Sequence, residues 1–212
     1  MLFRSLKNKT ESFPLEKEIE ESPTIRKEYE KIPFNISIPK IMFSIKTPRS
    51  NFKIKDDNKL NIYLNIINSL TFGNTSLFKE KVTNNDLITK FYTDVEMIKN
   101  YNTIYLYAES TKPDELIEEV EKELKKIKIT EKDLNRVRKS IIANEIKKAD
   151  YVDAVTIGLT SDIVTYNKVI TNPIEIYNSL NIDELNEVIN SINIDNKAVV
   201  VYVPKDIPTY SE

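Results

Sequence analysis

The chain of 212 residues contains no histidine, no cysteine and no tryptophan, and only two glycines. Without histidine there is no imidazole, the commonest general base and a usual zinc ligand. Without cysteine there is no thiolate nucleophile, no soft-metal site and no disulfide framework. Gly73 and Gly158 stand alone, which excludes a glycine-rich phosphate-binding loop. Carboxylate, ammonium, guanidinium, hydroxyl and amide groups remain for chemistry. Long apolar runs are missing too: Ala198–Val203 falls far short of the roughly 18 residues of a membrane span. A net charge of −2 gives no electrostatic ground for nucleic acid or anionic lipid as a partner. Met1–Lys7 is short, and polar residues follow where the apolar part of a signal peptide would stand. With cysteine absent as well, the expected location is cytoplasmic.

The composition, 40% apolar and 30% charged, is that of a globular chain able to bury a core. Residues 1–31 read as a charged lead-in or surface strap, because Pro14 and Pro23 interrupt any long helix there. Order is expected over 32–205, with 206–212 as a tail. Phe34, Ile36 and Ile38, then Ile41, Phe43 and Ile45, alternate as strand residues do. Leu60, Tyr63, Leu64, Ile67 and Leu70 fall on one helical face, with Gly73 placed for a left-handed C-terminal cap. Asn74, Thr75 or Ser76 then caps a helix carrying Leu77, Phe78 and Val82. Leu87–Met97 and Ile104–Ala108 read as a hairpin turned over Lys99–Asn102.

The C-terminal half reads as helices. Thr111 with Asp114 and Thr130 with Asp133 have capping-box spacing. Leu116, Val120, Leu124 and Ile127 mark one apolar stripe; Leu134, Val137, Ile141, Ile142 and Ile146 mark the next. Val152, Val155, Leu159 and Ile163 mark a third. Asn172–Pro173 and Asn181 with Glu184 open two shorter helices. Ala198–Val203 reads as a strand buried on both faces. The fold expected is α/β of the α+β type: one mixed sheet with helices packed on one face.

Acidic clusters do not make a catalytic site here. Glu118, Glu119, Glu121 and Glu123 interleave with Lys122, Lys125 and Lys126 on the solvent side of their helix. Asp56–Asp57 and Asp183–Glu184 sit where acidic side chains favour a helix N-terminus. Phe91, Tyr92, Tyr101, Tyr105 and Tyr107 crowd the hairpin, yet no basic groove accompanies them to suggest base stacking.

Phe72-Gly73-Asn74-Thr75-Ser76-Leu77-Phe78 is more specific. A helix ending in glycine, a small polar cap and Ser-Leu-Phe opening the next helix resemble the pitrilysin/insulinase family of zinc peptidases. The similarity continues through Ser110–Leu116, through Ile129-Thr130-Glu131-Lys132-Asp133-Leu134 and into Val199–Lys205. Together these segments cover roughly 32–205.

That resemblance implies a half-clamshell α/β domain. In the family, one half carries an inverted His-x-x-Glu-His zinc motif with a distal Glu, and the second half encloses the peptide without metal ligands. A chain without histidine matches the second, C-terminal half, of the bacterial processing-peptidase-like branch. Lys7–Lys31 would then be the hinge. Many second halves carry an Arg and a Tyr seven residues apart after the Ser-Leu-Phe helix; Lys79–Thr89 has neither. Val82, Thr83, Leu87 and Thr89 occupy that region and are the candidate substrate-chamber residues. No catalytic or metal residue is assigned, and zinc is expected only in a separate catalytic half, in the same polypeptide or a partner subunit. Peptide is the expected substrate, and this chain alone should be inactive. The alternative function is a peptidase-derived scaffold without proteolytic role.

Overall fold

The computed structural model describes residues 21–98 and 100–205. Five strands form one mixed sheet in the order β1-β5-β2-β4-β3: β1 is Tyr29–Phe34, β2 Lys40–Pro48, β3 Lys90–Ile98, β4 Tyr101–Glu109 and β5 Lys197–Pro204. β1 lies parallel to β5, and every other pairing is antiparallel. Two helices, α1 (Asp57–Phe72) and α2 (Leu77–Asn84), precede the β3–β4 hairpin. Five follow it: α3 (Pro113–Leu124), α4 (Glu131–Lys148), α5 (Val152–Tyr166), α6 (Pro173–Asn178) and α7 (Ile182–Ser191).

Alternation in the central strands decides which face is covered. Ile41, Phe43, Ile45 and Thr47 of β2 are buried, as are Asn102, Ile104, Leu106 and Ala108 opposite them on β4. Their neighbours along each strand are half-buried or exposed. With a period of two, one face meets the helices and the other does not. The covered face packs Leu60, Tyr63, Leu64 and Ile67 of α1, Leu116 and Val120 of α3, and Leu185 and Val188 of α7 into one core. The mixed sheet with helices expected from the sequence is therefore present.

Several local expectations are corrected. The first strand is Tyr29–Phe34, not a run through Ile38, because its backbone pairs with Val199–Pro204. Pro33 is tolerated there because β1 is an edge strand. β5 is buried on one face only: Val199 and Val201 are buried, whereas Tyr202 is exposed. It sits between two strands, but the sheet has helices on a single side. Gly73 has φ −66°, not a left-handed value. Its glycine is required by close approach, since a Cβ would stand 2.3 Å from the Ser69 carbonyl oxygen.

Ser76 caps α2 by accepting from the Lys79 N–H at 3.0 Å, and Thr130 with Asp133 forms a reciprocal capping box. Thr111 and Asp114 do not; α3 starts at Pro113 without a side-chain cap, and Ser110 Oγ accepts from the Lys112 N–H instead. The hairpin turns over fewer residues than expected, since Tyr101 and Asn102 already pair within β4; Lys99 lies outside the described residues. Of the stripe on α4 only Leu134 is buried, and α5 buries no residue at all. Val137 and Ile141 are only partly buried against the core, and Ile146, Val152 and Ile163 are exposed.

Two polar junctions tie the segment before β1 to the sheet and α1 to α7. Asn196, 7% exposed, accepts from the Ile25 N–H at 2.9 Å and donates to the Pro23 and Lys46 carbonyls at 2.9 and 2.7 Å. It thereby staples residues 21–28, part of the expected lead-in, to β2 and the start of β5. Tyr63 is fully buried; its hydroxyl donates to Glu184 Oε2 at 2.6 Å and accepts from the Asn181 N–H at 2.9 Å. Lys59 pairs with the same carboxylate at 2.6 Å. Burial works to raise the Glu184 pKa, but the Lys59 ammonium and Tyr63 hydroxyl outweigh it and hold the group below its ordinary value.

Asn196→Ala should cost about 2–3 kcal/mol, because it strands buried backbone groups without partners. A loss of that size lowers Tm by about 5–10 °C in a domain this long. Hydrogen exchange should show amide protection lost over 21–28 first. Tyr63→Phe should cost about 1–2 kcal/mol in urea unfolding at pH 7. Because the Glu184 pKa is depressed on folding, its contribution is complete above the unfolded carboxyl value of about 4.3 and fades as acid takes pH through the lower folded value. The difference between Tyr63→Phe and the parent should shrink over that same interval.

Candidate peptide-binding face

The face of the sheet away from the helices has its own composition, and Glu21 and Ser22 cross it at one end, where the Ser22 carbonyl accepts from Lys46 Nζ at 3.0 Å. Register places Phe34 opposite Pro204, Ile32 opposite Tyr202, Met42 between Val200 and Tyr107, and Tyr107 opposite Tyr92. Phe34, Met42, Tyr92 and Tyr202 are exposed. The Phe34 and Tyr202 rings meet edge to face at 5.7 Å between centroids, and Tyr92 leans on Tyr105 at 6.1 Å. Such pairs hold aromatic rings in place and leave their faces available.

The Tyr92 and Tyr107 hydroxyls on this face are committed to carboxylates, and that of Tyr101 to the Glu21 carbonyl at 2.6 Å. Tyr92 donates to Asp94 Oδ2 and Tyr107 to Glu109 Oε1, each at 2.7 Å. The Asp94 bond pushes the Tyr92 pKa above its ordinary value, and burial followed by Glu109 does the same for Tyr107. Glu109 is held low, by the Tyr107 hydroxyl first and by Lys40, which lies 3.5 Å away. Both phenols therefore stay protonated and act as oriented rings, not as acid–base groups.

β3 is an edge of the sheet, so one side of its backbone has no strand partner among the described residues. A groove of 380 Å³ runs along this edge, lined by Asn65, Asn68, Asn74, Phe91, Thr93 and Asp94 among others. The Thr93 hydroxyl donates to Asn68 Oδ1 at 2.6 Å and so ties β3 to α1. An unpaired strand edge beside amide side chains offers what an extended peptide needs: backbone hydrogen bonds first, side-chain contacts second.

The four chamber candidates separate into two kinds. Val82 and Leu87 are buried, 0% and 4% exposed, so their side chains belong to the core behind the groove. Thr83 and Thr89 are exposed. Thr83 donates its hydroxyl to the Lys79 carbonyl at 2.7 Å; Thr89 N–H and hydroxyl both reach the Glu109 carbonyl, at 2.9 and 3.2 Å. Thr89 thereby fixes the entry to β3. The outward tyrosines escaped the sequence reading as a surface, although a signal was there. Tyr101, Tyr105 and Tyr107 fall out of phase with Ile104, Leu106 and Ala108, and that period of two marks a second face.

The residues present do not fit a zinc site. The chain has no histidine or cysteine, and among the described residues no three acidic groups stand close enough to hold a metal ion. The glutamates of α3 are engaged in ion pairs instead: Glu119 with Lys81 and Lys122, and Glu121 with Lys197.

Solved structures share the fold at low identity. A protease from Helicobacter pylori superposes with a TM-score of 0.74 at 19% identity, covering 95% of this chain and 50% of that one. The periplasmic protease PqqL from Escherichia coli gives 0.72 at 13% identity, covering 92% of this chain and 22% of that one. A peptidase M16 inactive domain from Pseudomonas fluorescens gives 0.69 at 14% identity, covering 91% and 47%. The chain thus spans half or less of the length of each. No curated protein matches it. The family model described as the peptidase M16 inactive domain matches residues 1–141, more than half of the chain, and bears out the resemblance read from Phe72–Phe78 onward. This chain belongs to the peptidase M16 inactive-domain family.

Proposed function

We propose that the chain is the non-catalytic C-terminal half of a zinc metallopeptidase of the insulinase type, in its bacterial processing-peptidase-like branch. It pairs with a zinc-bearing half, in the same polypeptide or as a partner subunit, and forms one wall of the peptide chamber. The observation that carries this reading is the tyrosine-rich sheet face away from the helices, ending in the free edge of β3. A sheet with helices on one side must have its other side covered or used. An extended peptide lying on this face adds to β3 through backbone hydrogen bonds and rests its side chains on the rings of Tyr92 and Tyr107. Thr83 and Thr89 stand at the approach to that strand, and Val82 and Leu87 hold the wall from behind. All metal ligands, and the chemistry of the scissile bond, belong to the other half.

The test is to co-express the chain with a zinc-bearing half and assay a quenched fluorogenic peptide library. Neither part should cleave alone, the pair should cleave, and a chelator should abolish the activity. Association without cleavage would sink the peptidase role and leave a scaffold. In the active pair, Tyr92→Ala should weaken kcat/KM by about tenfold, the worth of roughly 1.4 kcal/mol of lost aromatic contact. Its Tm should stay within about 2 °C of the parent, as expected for an exposed side chain.

A further inference from the structure

One ammonium beside the β3 groove rests on an aromatic ring and, among the described residues, has no carboxylate partner. Lys79, on the first turn of α2, is half-buried, and its Nζ sits 4.6 Å from the centroid of the Phe91 ring. Among the described residues no carboxylate pairs with it, in contrast to Lys81, which meets Glu119. Burial alone acts on its pKa, holding it below the ordinary lysine value. An ammonium partly removed from water and resting on a ring face gains strongly from an added anion, because little screening remains and the desolvation has already occurred. Phe91 itself lines the groove along the free edge, so the charge stands at the end of β3 where that strand begins.

The opposite charge lies farther along the same edge. Asp94, three residues on, is about 10 Å away at roughly 3.3 Å of rise per strand residue. Its carboxylate accepts from the Tyr92 hydroxyl and from the Val95 N–H at 2.7 and 2.8 Å. Glu96 follows, exposed. The edge of β3 is therefore positive on its helix side near Phe91 and negative on the opposite face toward its far end. A peptide added antiparallel to β3 runs from the far end toward Phe91 and brings its C-terminal side to Lys79. One added in parallel would place its N-terminal side there.

We propose that Lys79 is a specificity-determining residue that receives a carboxylate of the bound peptide, either the C-terminus or an Asp or Glu side chain near it, and so imposes antiparallel addition on β3. This rests on the reading that β3 accepts peptide by strand addition. The ligand class is an extended peptide that is anionic toward its C-terminal end.

Two-dimensional NMR titrations of the ¹⁵N-labelled chain test it, using a nine-residue Ser/Thr/Ala peptide. The probe is made with a free C-terminal carboxylate, with a C-terminal amide, and with a C-terminal amide plus glutamate at the penultimate position. Amide signals of Lys90–Ile98 should move, and the free carboxylate should bind about ten- to a hundredfold more tightly than the amide, the range of one charge-assisted hydrogen bond. Lys79→Met should bring that ratio to within twofold of unity, and Lys79→Arg should keep it. Recovery of affinity in the glutamate probe identifies a side chain as sufficient; no recovery identifies the terminus. Equal binding of carboxylate and amide probes, with β3 signals still moving, would overturn the role of Lys79 and leave strand addition standing. No movement of β3 signals, or equal binding by a probe with alternate N-methylated amides, would overturn strand addition and the Lys79 proposal with it.

Discussion

The alternation of β2 and β4 is the constraint on which the rest of this domain depends. Ile41, Phe43 and Ile45 face Ile104, Leu106 and Ala108 across the ladder, and a slip of one residue would turn all of them to water. Once that register is set, α1, α3 and α7 have an apolar floor to cover, and β5 has two neighbours to join. The same alternation assigns Met42, Tyr105 and Tyr107 to the opposite side. The core and the opposite face are thus two consequences of one pattern, and neither can be altered by a register shift without loss of the other.

Polar groups finish what the apolar rows begin. Asn196 links the approach to β1 with β2 and β5, so the parallel edge strand is held by more than its ladder. Tyr63, Glu184 and Lys59 join α1 to α7 through a buried hydroxyl. Thr93 and Asn68 join the opposite edge to α1. Each junction satisfies donors and acceptors that burial would otherwise leave costly. They sit at the margins of the sheet, where helices must be tied to strands and hydrophobic area is thin. α5 shows the contrast: the Asn61 amide of α1 donates to its Tyr166 hydroxyl at 2.9 Å, yet it buries none of its residues.

A catalytic role would require groups that this surface does not offer. Tyr92 is held protonated by Asp94 and Tyr107 by burial and Glu109, and Glu109 itself is held low by Tyr107 and Lys40. What it offers is shape, aromatic faces and, among the described residues, a backbone edge without a strand partner and the Lys79 ammonium without a carboxylate. In the proposed role, those would be the means of binding an extended chain in a chosen direction.

Absence of histidine, the strand and helix periodicities and the Ser-Leu-Phe cap were all legible in the sequence, because they are local: a residue is present or not, and a period of two or 3.6 shows within a few turns. On that footing the fold class and the family could be read before any coordinates. Thr130 with Asp133 and Ser76 were legible as caps for the same reason, since a cap lies within four residues of what it satisfies. The parallel partnership of β1 with β5 was not, for it joins residues nearly the whole chain apart. Nor was the burial of Val82 and Leu87, the exposure of α5, or the placing of Lys79 over Phe91. Those depend on which elements come to lie side by side, and only tertiary packing decides which side chains water still reaches.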